Sequence, residues 1–291
     1  MDDKAEEYDR IVATSERVAF RLDDVIGDGL AFDFGRPFLP ESLAGVATLE
    51  FLSDAERLTL NHVRGHGYLA IFGVLEEGIL PFVMDRLRDH GGPASTRVRA
   101  LLRFAEEEVK HIQLFDAFDA AFQNQFGVEH ALAFTREGSR RGVERALPLA
   151  SALMTLHVER MTQAHYVESV KSAVGLDGCF ARLLKLHWLE ESQHARLDEL
   201  IVEALAESCD RDTAHQAVAE YEETCARIAG RLSTQVDLDL RTFEMKTGRT
   251  LDTTEQDELL GTQLEASQRT FLRTGREHPS VDRWVRELAS R

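Results

Sequence analysis

His187, Glu191 and His194 follow the spacing H-x-x-x-E-x-x-H inside the segment K-L-H-W-L-E-E-S-Q-H. A helix advances about 100° per residue, so positions +4 and +7 return to within roughly 40° of the start and all three side chains leave one face. Two imidazoles and a carboxylate on one stripe can grip a divalent metal ion. Upstream, Glu108 and His111 give a second E-x-x-H in the segment L-L-R-F-A-E-E-E-V-K-H-I-Q-L-F. With 30 Glu and 11 His in the chain, chance supplies about one E-x-x-H but only ~0.04 copies of the longer pattern.

Two further glutamates sit on apolar helical faces. In the segment 61–85 the only acidic residues before Asp85 are Glu76 and Glu77. Glu76 shares its face with Leu69, Phe72, Ile79, Leu80 and Val83, while Glu77 points off that stripe, so Glu76 is the candidate ligand. Glu159 lies amid Ala152, Leu156 and Tyr166, with Thr155 and Thr162 on the same, less apolar, face. The interval from Glu76 to Glu108 equals that from Glu159 to Glu191, so each half reads as a helical hairpin.

A glutamate on an amphipathic helix is ordinarily a solvated surface residue. Buried in an apolar stripe, it must be paired, protonated or metal-bound. Two divalent cations would neutralise the four carboxylates and stabilise the fold. His62, His66, His157 and His165 complete no E-x-x-H and are expected as hydrogen-bonded core or surface groups. Glu106, Glu107 and Glu190 are expected to face solvent or to stand behind the ligands, and Asp198, one turn after His194, is expected either to orient its imidazole or to lie at the surface.

A Glu, an E-x-x-H, a second Glu and a final H-x-x-x-E-x-x-H, in that order, fit a carboxylate-bridged dimetal site between four helices. The set resembles the para-aminobenzoate N-oxygenase family of non-haem diiron enzymes over roughly residues 55–207. The resemblance implies a ferritin-like four-helix bundle with Glu76, Glu108, Glu159 and Glu191 as carboxylate ligands. His111 and His194 are then the paired imidazoles, and His187 the third imidazole that distinguishes that family. It further implies two Fe ions, with Mn able to take one position. The activity implied is O2-dependent N-oxygenation of a small amine, such as an arylamine, through a peroxo-diferric species, with electrons from an external donor. Carbon hydroxylation, desaturation or ferroxidase chemistry would use the same ligands. The donor set agrees with the metal, since oxygen and nitrogen ligands disfavour soft copper(I) and tetrahedral structural zinc.

The rest of the chain frames this core. Its 291 residues are 43% hydrophobic with a formal net charge of −17, which argues against broad nucleic-acid or anionic-membrane binding. No apolar run long enough to span a bilayer and no amino-terminal signal are read, so a cytoplasmic protein is expected. Cys179, Cys209 and Cys225 lack C-x-x-C spacing and are expected as reduced thiols. Long 3.6-residue periodicities predict an all-α single domain: an irregular arm over 1–50, a bundle core over about 53–207 and a helical extension over 208–291 that could build a homodimer contact. Ser53 and Glu56 read as a capping box opening the first bundle helix. Breaks are expected at His90-Gly91-Gly92-Pro93, Gly127, Gly138, Gly175 to Gly178, Gly248 and His278-Pro279. Phe72, Phe104, Leu156 and Tyr166 are candidates for a substrate-pocket wall, with core packing the alternative for each.

Overall fold

Helix periodicity carries through: every regular element among the described residues is helical. A computed structural model describes residues 3–88, 95–138 and 145–291; the break expected at His90-Gly91-Gly92-Pro93 lies outside them. The chain opens with α1 (Asp3–Val18), passes two single turns, α2 (Asp23–Ile26) and α3 (Glu41–Ala44), and then forms four long helices. These are α4 (Asp54–Arg88), α5 (Thr96–Phe126), α6 (Pro148–His165) and α7 (Gly178–Ser208). The remainder is a π-helical turn at Tyr166–Val170 directly after α6, then α8 (Arg211–Thr247), α9 (Thr253–Gln268), a second π-helical turn at Arg269–Arg273, α10 (Thr274–Arg276) and α11 (Pro279–Ala289).

Local chemistry sets the ends. Glu56 N donates to Ser53 Oγ and Ser53 N donates back to Glu56 Oε2, closing the capping box of α4. Ser95, Asp177 and Asp210 cap α5, α7 and α8 by accepting a single backbone N–H, and Asp252 with Glu255 closes a second capping box at α9. Gly127 and Gly248 end α5 and α8 at φ 86° and 70°, where a Cβ would be strained. Pro279 opens α11 directly after His278.

α4 packs along α5 and α6 along α7, while α8 lies against both α4 and α6. The four long helices thus enclose a common interior, with the carboxyl-terminal helices as a cover. Leu60, Val63, Val83, Leu101, Leu114, Leu153, Leu156, Leu183 and Ile201 are buried there. By length and composition α4 could cross a membrane, which corrects the sequence reading; 67% of its apolar window is buried inside the protein. The three cysteines are free thiols.

The amino-terminal arm departs from expectation. Residues 3–18 form a regular helix, and the irregular segment starts only after it. The glycines and prolines that suggested irregularity all fall beyond Val18, whereas Tyr8, Ile11, Val12 and Ser15 repeat at i, i+3, i+4 and i+7 and are buried against α5 and α8's predecessor α7.

His62, His66, His130, His157 and His165 serve as interior hydrogen-bonding groups. His157 bridges Tyr221 Oη and the Phe271 carbonyl, and His165 bridges Tyr68 Oη and the Thr270 carbonyl, so α6 satisfies carbonyls of the second π turn. Asp119, His66, His130 and Asp239 form a chain of contacts at 2.6–2.7 Å joining α5, α4, the segment after α5, and α8. The close approach at His157 gives a test. A Cβ on Gly275 would stand 2.2 Å from His157 Cδ2, so Gly275→Ala is expected to cost about 1–3 kcal/mol by overpacking. Thermal unfolding should show a midpoint lowered by several degrees.

Candidate metal centre

Four helices each deliver part of the predicted set: Glu76 from α4, Glu108 and His111 from α5, Glu159 from α6, and His187, Glu191 and His194 from α7. None is more than 3% exposed, so solvent cannot balance their charge. Six of the seven form two overlapping quartets whose donor atoms lie within 4.8 Å of one another: Glu76, His111, His187 and Glu191; and Glu108, His111, Glu191 and His194. Either quartet could hold a metal ion.

Glu191 joins them. Its Oε1 lies 2.8 Å from His187 Nε2 and 2.9 Å from His111 Nδ1, while its Oε2 lies 2.8 Å from His194 Nδ1. Glu76 Oε1 is 2.7 Å from His187 Nε2, and Glu108 Oε1 is 3.1 Å from His194 Nδ1. Glu159 stands outside both quartets, buried beside Glu191 and Glu108. Glu77, by contrast, is turned away and pairs with Arg136 at 3.3 Å.

The donor chemistry fits divalent cations. Glu76 Oε2, both Glu108 oxygens, His111 Nδ1, Glu159 Oε2 and Glu191 Oε1 are buried without a hydrogen-bond partner, a costly condition for carboxylates. His111 Nδ1 and Glu191 Oε1 lie only 2.9 Å apart, yet neither meets hydrogen-bond geometry with any partner. Metal–ligand bonds of about 2.1 Å put adjacent donors of one ion about 3 Å apart, and the contacts at 2.7–3.1 Å match that spacing.

Behind the donors stands a second layer of carboxylates. His194 Nε2 donates to Glu107 Oε2 at 2.8 Å, and His111 Nε2 donates to Glu190 Oε2 at 2.9 Å. Each glutamate immediately precedes a ligand glutamate, so the repeat is E-E-x-x-H, and each braces the histidine of the opposite helix. These bonds fix the tautomers that leave both Nδ1 lone pairs facing the quartets. Glu106 is exposed and pairs with Arg103. Asp198 does not orient His194, which corrects the sequence reading: both its oxygens are buried without a partner, and Glu107 occupies Nε2 instead. Glu107→Ala is expected to weaken metal binding 10–100-fold, measurable by chelator competition.

The chain matches no protein-family model and no curated protein.

Burial and mutual charge shift the titration of the cluster strongly. Burial opposes charging His187, but Glu76 and Glu191 outweigh it and hold its pKa up at about 9. Burial likewise works against charged His111 and His194, and the surrounding carboxylates, Glu191 foremost, hold both well above the usual imidazole range. Burial, then the Glu76 charge, pushes Glu108 up to about 7. Glu159 is held well above the carboxylate range by burial and by Glu191. Burial would also raise Glu191, but His194 and His187 overcome it and keep its carboxylate well below that range.

The sequence did not reveal the groups behind Glu107 and Glu190. Ser15 Oγ donates to Glu107 Oε1 at 2.6 Å, Gln193 Nε2 donates to Oε2 at 3.1 Å, and Phe20 N donates to Glu190 Oε1 at 3.2 Å. Lys110 also donates to Glu190. The doubled glutamate of each E-E-x-x-H was a readable signal for the bracing pair; nothing local marks Ser15, which lies 92 residues from Glu107.

A cavity of about 100 Å³ lies between α4, α6 and α8, lined by Leu75, Ile79, Thr155, Val158, Ile228 and Arg231 among others. Thr155 is one turn before Glu159, and Ile79 one turn after Glu76. None of the four expected wall residues lines it: Phe72, Phe104 and Leu156 are in the core, and Tyr166 stacks on Trp188.

Proposed function

We propose that this chain is an O2-dependent oxidoreductase of ferritin-like architecture, with two Fe ions held by Glu76, Glu108, His111, Glu159, His187, Glu191 and His194, and Mn able to replace one of them. The observation that carries the reading is the division of Glu191, whose two oxygens serve different quartets. A carboxylate placed in this way bridges a metal pair. The donors contain oxygen and nitrogen and no thiolate, which favours iron or manganese over copper(I) or a structural zinc.

Bound iron would supply the two electrons that O2 reduction draws from the site, an external donor restoring them. The protein's own contribution is positional. Glu107 and Glu190 lock the imidazoles, the carboxylates neutralise the cations, and burial of every ligand keeps bulk water out. The cavity of about 100 Å³ between α4, α6 and α8 is lined by residues one turn from Glu76 and Glu159, which makes it the candidate approach for a small substrate. Resemblance to the para-aminobenzoate N-oxygenase family directs the chemistry to nitrogen, hence a small arylamine. A homodimer and a cytoplasmic setting belong to the same reading.

The test is anaerobic loading with ferrous ion, metal counting, and then admission of O2 with arylamines followed by mass spectrometry. Two ions per chain and an oxygenated nitrogen are expected. Oxygenation at carbon would move the reading to a hydroxylase, and iron mineralisation with the amine untouched would move it to an iron-handling protein. A chain that binds no ferrous ion would falsify all three.

A further inference from the structure

We infer that the amino-terminal segment, α1 through Phe20, is a working part of the metal centre, so that its docking and metal occupancy are coupled, with Ser15 as the positioning residue. This rests on the metal reading of the quartets. Tyr8, Ile11, Val12 and Ser15 form the inward stripe of α1, and Ser15 is its polar member, 1% exposed. Its hydroxyl donates to Glu107 Oε1 at 2.6 Å and accepts from Arg103 Nε at 3.0 Å. Glu107 Oε2 in turn receives His194 Nε2, whose opposite nitrogen faces the quartet. One carboxylate therefore separates α1 from a metal ligand.

The same segment reaches the other brace. Phe20 N donates to Glu190 Oε1 at 3.2 Å, Lys110 Nζ donates to the Phe20 carbonyl at 3.2 Å, and the Lys110 ammonium lies 4.1 Å from the Phe20 ring centroid. Glu190 Oε2 holds His111 Nε2. Two histidines from two helices are thus braced by carboxylates that a single short stretch of chain anchors.

A 16-residue helix is marginal alone in water, so α1 is held by its contacts: the apolar stripe, the two carboxylates, and the ion pairs of Lys4 with Glu203 and Glu207, Glu7 with Arg196 and Glu16 with Arg99. Those pairs are partly or fully exposed and each contributes little. A cation on His194 Nδ1 and the Ser15-anchored Glu107 on Nε2 require the same orientation of the ring, so the occupied quartet and the docked segment favour one arrangement. By linkage, whatever factor the docked segment adds to metal affinity, metal adds to docking.

Hydrogen exchange across residues 4–18 should therefore be measured on the full chain with and without anaerobic ferrous ion, alongside chelator competition for wild type, Ser15→Ala and Ser15→Thr. Loading should slow exchange in α1. Ser15→Ala should lose about tenfold in affinity for one of the two ions, with a smaller slowing in α1, and Ser15→Thr, which keeps the hydroxyl, should recover both. Two ions bound by wild type with α1 exchange unchanged, or wild-type affinity in Ser15→Ala, overturns the coupling while leaving the metal centre standing. Failure of wild type to bind ferrous ion overturns the metal reading itself, and the coupling with it.

Discussion

Replacing Glu191 with Ala is expected to remove both metal ions together. Its Oε1 belongs with His187 and His111, and its Oε2 with His194, so one truncation takes a donor and a compensating charge from each quartet. Glu76→Ala should act differently, because Glu76 enters only the first quartet and leaves Glu108, His111, Glu191 and His194 in place. The pair of variants separates a bridging role from an ordinary one. Metal counting should fall from two ions to none in Glu191→Ala and to about one in Glu76→Ala. A Glu191→Ala protein that keeps one ion at wild-type affinity would show that Glu191 does not bridge.

Why Glu76 could be found in the sequence and Ser15 could not is a matter of range. Glu76 lies within an apolar stripe of its own helix, and 3.6-residue periodicity alone separates it from Glu77. The E-x-x-H pairs are equally local, and the equal intervals between Glu76 and Glu108 and between Glu159 and Glu191 hint at paired hairpins before any coordinate is seen. Glu107 and Glu190 were half legible: their adjacency to ligands was plain, but their target histidines lie 87 and 79 residues away on the opposite helix. Which helix faces which is a packing outcome, and no local pattern encodes it.

The same limit explains the misplaced features. Gly27, Gly29 and Gly35 drew the whole amino-terminal arm into one irregular reading, although the stripe at Tyr8, Ile11, Val12 and Ser15 was already helical. Proximity along a helix suggested Phe72 and Phe104 as pocket wall, yet both are packed in the core, while Ile79 and Thr155, as near to Glu76 and Glu159, line the cavity. The cavity formed instead where α8 crosses α4 and α6, so Ile228 and Arg231, far away in sequence, line it. Asp198 was placed correctly one turn from His194, but the neighbouring helix had already supplied Glu107.

The metal-free protein is expected to lose stability as pH rises from about 6.5 to 9, with His187 carrying the loss across that range and Glu108 only its lower end, and metal should reverse that trend. Glu108 titrates at about 7 in the fold against an ordinary 4.5, so its contribution is complete below 4.5 and is lost as pH rises through about 7. His187 titrates at about 9 against 6.5, and its contribution, complete below 6.5, is lost as pH rises through about 9. Across this window the folded chain holds protons that the unfolded chain has released, so stability must fall with pH. Glu191 and Glu107 are shifted the other way; their contributions are present above 4.5 and fade only in acid, so they offset nothing here. Cations replace those protons, hence binding releases protons and tightens as pH rises. At a hundredfold excess over Kd each ion contributes about 2.7 kcal/mol, and at about 2–4 °C per kcal/mol two ions should raise Tm by roughly 10 °C or more near pH 7. The gap between loaded and metal-free Tm should widen toward pH 9. A gap unchanged between pH 6 and 9, with no proton release on loading, would mean that the cluster holds its charge without reference to a metal.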